Sequence, residues 1–283
     1  MPKKPETPEP EVKAPAVAVE KVVAEEEAKL EVEKDVIEAV PAEEEAAKPA
    51  PGSFDIAAWT PKTSIGAKVK TGEIKDIDII LDAGTPILEA PIVDILLPNL
   101  ESDLLMIGQS KGKFGGGARR IFRQTQKKSP EGNKPSFGVM AVAGNRNGYV
   151  GLGYGKGKDT VPSREKAVRQ SKLNVFKIKR GCGSWQCNCR TPHSVPFTVE
   201  GKCGSAIIRL MPAPKGKGLV VEPNCAKILA LAGFKDVWSK TFGQTRNTVN
   251  LATACVDALK KLSTTKIPHT AAEVLGLCDG KLK

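Results

Sequence analysis

Apolar residues recur along this chain in several rhythms, and each predicts a different kind of element. Over 87–97, Ile92, Ile95 and Leu96 fall at helical spacing until Pro98 stops the run, and 76–81 reads the same way, so two short helices are expected. Residues 137–143 are apolar apart from Gly138, which predicts a buried strand. After the turn Asn145-Arg146-Asn147-Gly148, whose Asn-Gly pair favours a hairpin, 149–156 is the returning strand. Upstream, 119–126 alternates enough for a strand, and 127–136, with Pro130, Gly132 and Pro135, reads as a basic loop. Pro162 opens a helix whose inner stripe is expected from Val161, Ala167, Val168, Ser171, Val175 and Ile178. Two strands, 195–202 and 205–211, flank Gly201-Lys202-Cys203-Gly204. Pro223 then starts a helix buried through Cys225, Ile228, Leu229 and Ala232 and ended by Gly233. A strand at 235–241 and a last helix follow, the helix capped by Asn247 with Leu251, Cys255, Ala258, Leu259 and Leu262 inside. Cys225 and Cys255 are expected to be core thiols, and the residues beyond Ile267 a loosely held tail.

Charge divides the chain further. The 283 residues carry a net charge of +11, but residues 1–50 hold 7 lysines against 14 acidic residues and no aromatic residue, so they read as a disordered acidic tail. The remainder has 36 basic against 18 acidic residues, an excess that makes a polyanion the natural partner. The expected organisation is an acidic tail (1–52), an extension with short helices (53–100), a first domain (101–180), a cysteine-rich linker (181–194), a second α+β domain (195–265) and a C-terminal tail (266–283). No apolar run is long enough to span a bilayer and the start lacks a signal-peptide pattern, as expected of a cytosolic chain. In a reducing compartment its 7 cysteines are thiols or metal ligands.

The glycine-rich strand is the chain's most specific feature. Gly151, Gly153, Gly155 and Gly157 repeat every two residues, so one face carries no side chains, as where another backbone approaches closely. Lys156 and Lys158 beside it suggest that the approaching backbone is a phosphate chain. The spacing fits neither G-x-G-x-x-G nor G-x-x-x-x-G-K-[ST], and no paired carboxylates stand in a catalytic setting, so an enzyme is not expected. Strands followed by a basic helix have the layout of a small double-stranded-RNA-binding domain.

Cys182, Cys187, Cys189 and His193 lie within twelve residues in the spacing C-x4-C-x-C-x3-H. Three thiols and an imidazole suit one structural zinc ion. Two other readings remain open: reduced surface cysteines packed by RNA with His193 as a polar contact, and a cysteine nucleophile activated by His193. The second lacks a visible orienting group and cleft.

These stretches carry a family resemblance. The segment 144–153 with its lysine-bearing continuation, Gly181-Cys182-Gly183-Ser184-Trp185-Gln186-Cys187 through Pro192-His193, and the run from Gly204-Ser205 through Pro212-Ala213-Pro214, Gly216-Lys217-Gly218, Leu231-Ala232-Gly233 and Gly243-Gln244-Thr245-Arg246 resemble the fifth small-subunit ribosomal protein family in its archaeal form. The likeness implies an α+β fold: a double-stranded-RNA-binding-like first domain and a second domain of the split β-α-β kind. It implies a structural constituent of the small ribosomal subunit that binds small-subunit rRNA near the messenger entry side, supports assembly and decoding accuracy, and touches the fourth and eighth small-subunit proteins. The alternative is a free-standing regulator that binds structured RNA. The residues expected to contact RNA are Lys111, Lys113, Arg119, Arg120, Arg146, Asn147, Gly153, Gly155, Lys156, Lys158, Arg164, Lys215, Lys217 and Arg246.

Overall fold

The computed structural model describes residues 59–110, 119–187 and 189–281. The expected acidic tail and the expected RNA contacts Lys111 and Lys113 lie outside these described residues. Among the described residues no helix is long and apolar enough to cross a membrane.

The chain enters through three short helices, α1 (Ser64–Thr71), α2 (Ile77–Asp82) and α3 (Ala90–Leu96). The sequence pattern anticipated the last two. It missed α1, which carries too few apolar positions to show a period but has a Thr63 hydroxyl accepting from Gly66 N–H and a left-handed Gly72 at its end. Trp59, Val69, Ile77, Ile80, Ile92 and Val93 form a small core with Tyr149 and Val175 of the next domain. Glu89 ties the entry down, accepting from the Trp59 indole at 3.0 Å and from the amides of Lys62 and Thr63 at 2.9 and 2.7 Å.

Next come β1 (Glu101–Leu104), β2 (Arg123–Ser129), β3 (Gly132–Gly144) and β4 (Tyr149–Gly157), then α4 (Thr160–Leu173) and β5 (Val175–Lys177). The strands form one antiparallel sheet in the order β1-β3-β4-β5, with β2 pairing the other half of the long β3. The expected basic loop at 127–136 is therefore a correction: β2 and β3 pair in register from Arg123↔Gly138 to Ser129↔Gly132 about Pro130-Glu131. Pro135 sits at an exposed position there, where its missing N–H is tolerated.

The helix stripe is corrected too. Ser163, Ala167 and Ser171 are the buried residues of α4, whereas Val161 is 64% exposed and Val175 belongs to β5. These small residues recur every four positions, about 6.0 Å along a helix axis. Alternate strand residues recur about every 6.6 Å. The glycine face of β4 and the small-residue face of α4 therefore lie on each other nearly in step. A Cβ added at Gly153 would come within 3.0 Å of backbone atoms of Ala167, Gln170 and Ser171, and one at Gly155 would meet Ser163 and Ala167. The close backbone is the protein's own helix. Gly153 and Gly155 are buried beneath it, and the expectation that they face RNA is overturned.

The opposite face of the sheet packs on the second domain through Met140, Val142 and Val150, while β2 and the half of β3 that pairs with it stay largely exposed. There β6 (Lys179–Arg180) leads to β7 (Val199–Cys203), β8 (Ala206–Pro212), β9 (Leu219–Val220), α5 (Pro223–Ala232), β10 (Val237–Phe242), α6 (Thr248–Thr264), α7 (His269–Val274) and β11 (Cys278–Asp279). Glu222 caps α5 by accepting from Asn224 and Cys225 N–H, and Gly233 ends it at φ 92°. Asn247 stands at the start of α6 as expected but makes no side-chain capping bond. The four-stranded sheet runs β7-β8-β10-β9, with β9 and β10 parallel and adjacent. The β-α-β unit is thus not split, because α5 returns the chain across a single strand spacing.

Leu105, Met140, Val142, Val150 and Ile178 join Ile208, Ile228, Leu229, Leu251, Cys255 and Leu259 in one continuous core, so both domains share it. Cys225 and Cys255 are fully buried within it, as expected. The loosely held tail is also corrected: β11 pairs antiparallel with β6 through Cys278↔Arg180. The Arg180 guanidinium, buried with 2% exposure, donates to Gly280 O at 3.0 Å and to Asn147 Oδ1 at 2.9 Å. A long-range clamp of this kind leaves no trace in a hydrophobic period.

Candidate nucleic-acid interface and metal centre

Sheet register decides which basic side chains act together. Paired residues of an antiparallel sheet share a face. Arg123 pairs with Gly138, which pairs with Lys156, and Lys127 lies directly opposite Lys134. Arg123, Lys127, Lys134 and Lys156 therefore occupy one face, the face away from α4, and all are exposed. Tyr154, 45% exposed, belongs to the same face opposite Met140. Like charges directly opposite one another on a sheet repel. Here the local offset is Glu131, which pairs with Lys134 at 2.7 Å. Such a ribbon is suited to a polyanion laid across it. Sequence reasoning misses Lys127 and Lys134 because it takes 127–136 as a loop, and it misses Arg123, although inside the expected strand 119–126, because that strand then has no partner to define a shared face.

The other expected contacts fall into distinct situations. Lys158, Arg164, Lys215, Lys217, Arg120 and Arg246 are exposed. Arg119, distant in sequence, meets Arg246, donating to its carbonyl at 3.4 Å. Arg146 is held by Glu101 at 2.8 Å, and its backbone N–H donates to Leu231 O, so the hairpin tip docks on the end of α5. Asn147 turns its side-chain oxygen to Arg180.

The free basic surface of α4 and of β5 after it is smaller than the sequence suggests. Lys172 pairs with Asp94 at 2.6 Å, and Lys177 lies 3.1 Å from Asp82 and 3.7 Å from Asp78. The N-terminal extension supplies these carboxylates. Arg164, Lys166 and Arg169 are the exposed cations of α4.

The cysteine segment is a packed corner and not a loose connection. Cys182 N–H donates to Leu275 O at 2.8 Å, and Gly181 and Ser194 exchange both backbone bonds at 2.9 Å. Folding this short stretch brings the Sγ atoms of Cys182, Cys187 and Cys189 and a ring nitrogen of His193 within 4.8 Å of one another. His193 is buried, and its Nδ1 lies 2.8 Å from Asp236 Oδ2. A carboxylate accepts, so Nδ1 is the donor in that bond, and in the neutral ring this leaves Nε2, 3.9 Å from Cys187 Sγ, with its lone pair toward the thiols. Burial and the hydrogen bond with Cys189 push the Cys182 thiol up to about 11. Burial would raise Cys189 too, but hydrogen bonds from Thr191 and the neighbouring thiols bring it down to about 6. One proton-poor sulfur among crowded thiols and an oriented imidazole fit a zinc ion in donor type, number and placement. Asp236 orients His193 as the acid of a catalytic triad would, but three sulfurs converge here, which is a ligand set. Trp185 projects from the same corner with 90% of its surface exposed.

Two family descriptions match the chain: "Ribosomal protein S5, N-terminal domain" over residues 121–179 and "Ribosomal protein S5, C-terminal domain" over residues 201–273. Among curated proteins, the chain is similar to "Small ribosomal subunit protein uS5" of Methanocaldococcus jannaschii, 47% identical over 229 residues, which are 81% of this chain and 99% of the relative. The protein of the same description from Nanoarchaeum equitans is 45% identical over 81% of this chain and 98% of its own length. That from Methanobrevibacter smithii is 46% identical over 80% and 99%.

Proposed function

Since the chain belongs to the ribosomal protein S5 (uS5) family, whose members here are archaeal, and is a structural, non-enzymatic protein of the small ribosomal subunit, we propose that it binds small-subunit rRNA through the β2–β3–β4 face and the exposed loop of the second domain. The observation that carries this reading is the register that lines up Arg123 with Lys156 and sets Lys127 against Lys134 with Glu131 as the neighbouring acid. Lys158 follows β4 on the first domain, Arg164 is exposed on α4 across the sheet, Lys215, Lys217 and Arg246 are exposed on the second domain, and Arg119, beside Arg120, meets Arg246. Tyr154 and Trp185 offer aromatic surface on which unpaired bases stack. Binding near the messenger entry side, with effects on assembly and decoding accuracy and contacts to the fourth and eighth small-subunit proteins, is the role that the family resemblance suggests. The core shared by the two domains supports a ribosomal part over a regulator working through its first domain alone.

The test is RNA binding against salt. Changing Arg123, Lys127 and Lys156 together to Gln removes three cations and is expected to shallow the log–log slope by roughly 2 to 3. An unchanged slope would place this face in solvent.

One zinc ion held by Cys182, Cys187, Cys189 and His193 is part of the same reading. Four protein ligands leave no open position, so the ion would brace the corner and take no part in chemistry. Elemental analysis is expected to give about one zinc per chain, lost in Cys187→Ser. Metal-free protein with an equally protease-resistant corner would refute the site.

A further inference from the structure

We propose that Asp236 is a positioning residue that couples the metal centre to the basic loop of the second domain, so that metal occupancy sets where Lys215 and Lys217 stand. The proposal rests on the zinc reading above.

The loop 213–218 joins β8 to β9 and hangs from two hydrogen bonds, a buried one at its start and a half-buried one at its end. At its start Ala213 N–H donates to Ser194 Oγ at 3.1 Å. At its end Gly218 N–H donates to Asp236 Oδ1 at 2.8 Å. The two acceptors are not independent. Ser194 follows the ligand His193 directly, and the other oxygen of Asp236 is the one on His193 Nδ1 at 2.8 Å. The backbone repeats the link, with Lys235 and Asp236 N–H donating to His193 O at 2.9 and 3.2 Å. His193, Ser194 and Asp236 are all buried, so the acceptors of these bonds are shielded from water. Between the anchors the loop has left-handed glycines, Gly216 at φ 89° and Gly218 at φ 72°, and exposed Lys215 and Lys217. Its two ends therefore both refer back to one metal ligand.

The chemistry gives the coupling a direction. An imidazole bound to a cation through Nε2 is a stronger donor at Nδ1, and a carboxylate on Nδ1 in turn raises the ligand's basicity. Asp236 has no lysine or arginine within ion-pair distance among the described residues; its ion-pair partner is His193. Metal bound at His193 would therefore hold the Asp236 carboxylate in place and, through it, the Gly218 amide. Without metal Nε2 has no fixed partner, so the imidazole orients the Asp236 carboxylate less firmly and the far end of the loop is held more loosely.

The experiment uses the full chain. Cobalt is first substituted for zinc, and its thiolate charge-transfer absorption reports whether the site takes a metal at all. The Gly218 amide is then followed by hydrogen exchange in metal-loaded and chelator-treated wild type, and zinc affinity by competition in Asp236→Asn. The expected results are loss of Gly218 protection on chelation and a 10- to 100-fold weaker zinc affinity in Asp236→Asn, the range seen for outer-shell partners of metal-bound histidines. In metal-free protein, changing Lys215 and Lys217 to Gln should no longer flatten the salt slope of RNA binding. A protected Gly218 in chelated wild type, or wild-type zinc affinity in Asp236→Asn, overturns the coupling while leaving the site intact. No cobalt absorption in wild type overturns the metal centre itself, before any variant is made. The wild-type chelation arm stands even if Asp236→Asn does not fold.

Discussion

Replacing Gly153 with Ala tests the most consequential contact in the first domain. The added methyl would stand within 3.0 Å of Ala167 O, Ser171 N and the Gln170 carbonyl carbon, all backbone of α4. None of these can turn aside as a side chain could, so the helix must lift from the sheet or β4 must bend. Overpacking a filled interior costs typically about 1–3 kcal/mol. With three backbone atoms in the way and close packing of Ser163 and Ala167 disturbed along the same helix, the expected loss is near the upper end, about 3 kcal/mol. At a urea m-value of roughly 2–3 kcal/mol/M, the midpoint falls by about 1 M. Gly157→Ala is the internal control: its methyl meets the Ser163 hydroxyl, a side-chain atom, so its loss should be clearly smaller. Equilibrium unfolding followed by circular dichroism, with RNA affinity measured on the folded fraction, separates the two possible roles. A Gly153→Ala protein of wild-type stability that no longer binds RNA would show the glycine face to be a phosphate seat and refute the helix-packing account.

Changing Lys156, Lys158, Lys215 and Lys217 together to Gln is expected to flatten the RNA-binding salt slope by roughly 3, at 0.7–0.9 per lost phosphate contact; titration across 50–200 mM salt measures it. Deleting residues 1–50, with their 14 acidic residues, should leave RNA affinity unchanged or raise it, and a tenfold loss would show that the segment makes contacts of its own. Removing residues 276–283 takes away the Gly280 acceptor of buried Arg180 and should lower stability by about 1–3 kcal/mol, read as a fall in melting temperature. Burial would raise Glu89, but its bonds from Thr63, Lys62 and Trp59 hold it below the ordinary carboxylate range. Its stabilisation is therefore full above that range and lost as pH falls through the lowered value. The Trp59 environment should change there, and Glu89→Gln should abolish that transition in tryptophan fluorescence.

Much of the organisation follows from local physics alone. The Asn-Gly hairpin, Pro223 at the start of α5 and Gly233 at its end depend on residues adjacent in sequence, where turn and cap preferences act directly. The basic excess outside residues 1–50 and the soft donor set Cys182, Cys187, Cys189 and His193 are equally visible without a fold, because charge count and ligand type belong to the residues themselves.

Tertiary structure decided which partner each surface meets. A glycine-lined strand face states that a backbone must come close; only the fold assigns that backbone to α4, through small residues four positions apart on a helix. Lys172 and Lys177 look like free cations until the chain brings Asp94 and Asp82 to them from 78 and 95 residues away. The same holds for Asp236, which is 43 residues from His193 in sequence and 2.8 Å from its ring in space. Coulomb attraction, packing and hydrogen bonding act over a few ångströms of space with no regard for sequence separation. Composition could therefore supply the basic surface and the metal donors, while folding selected which cations remain for RNA and which carboxylate steadies the metal ligand.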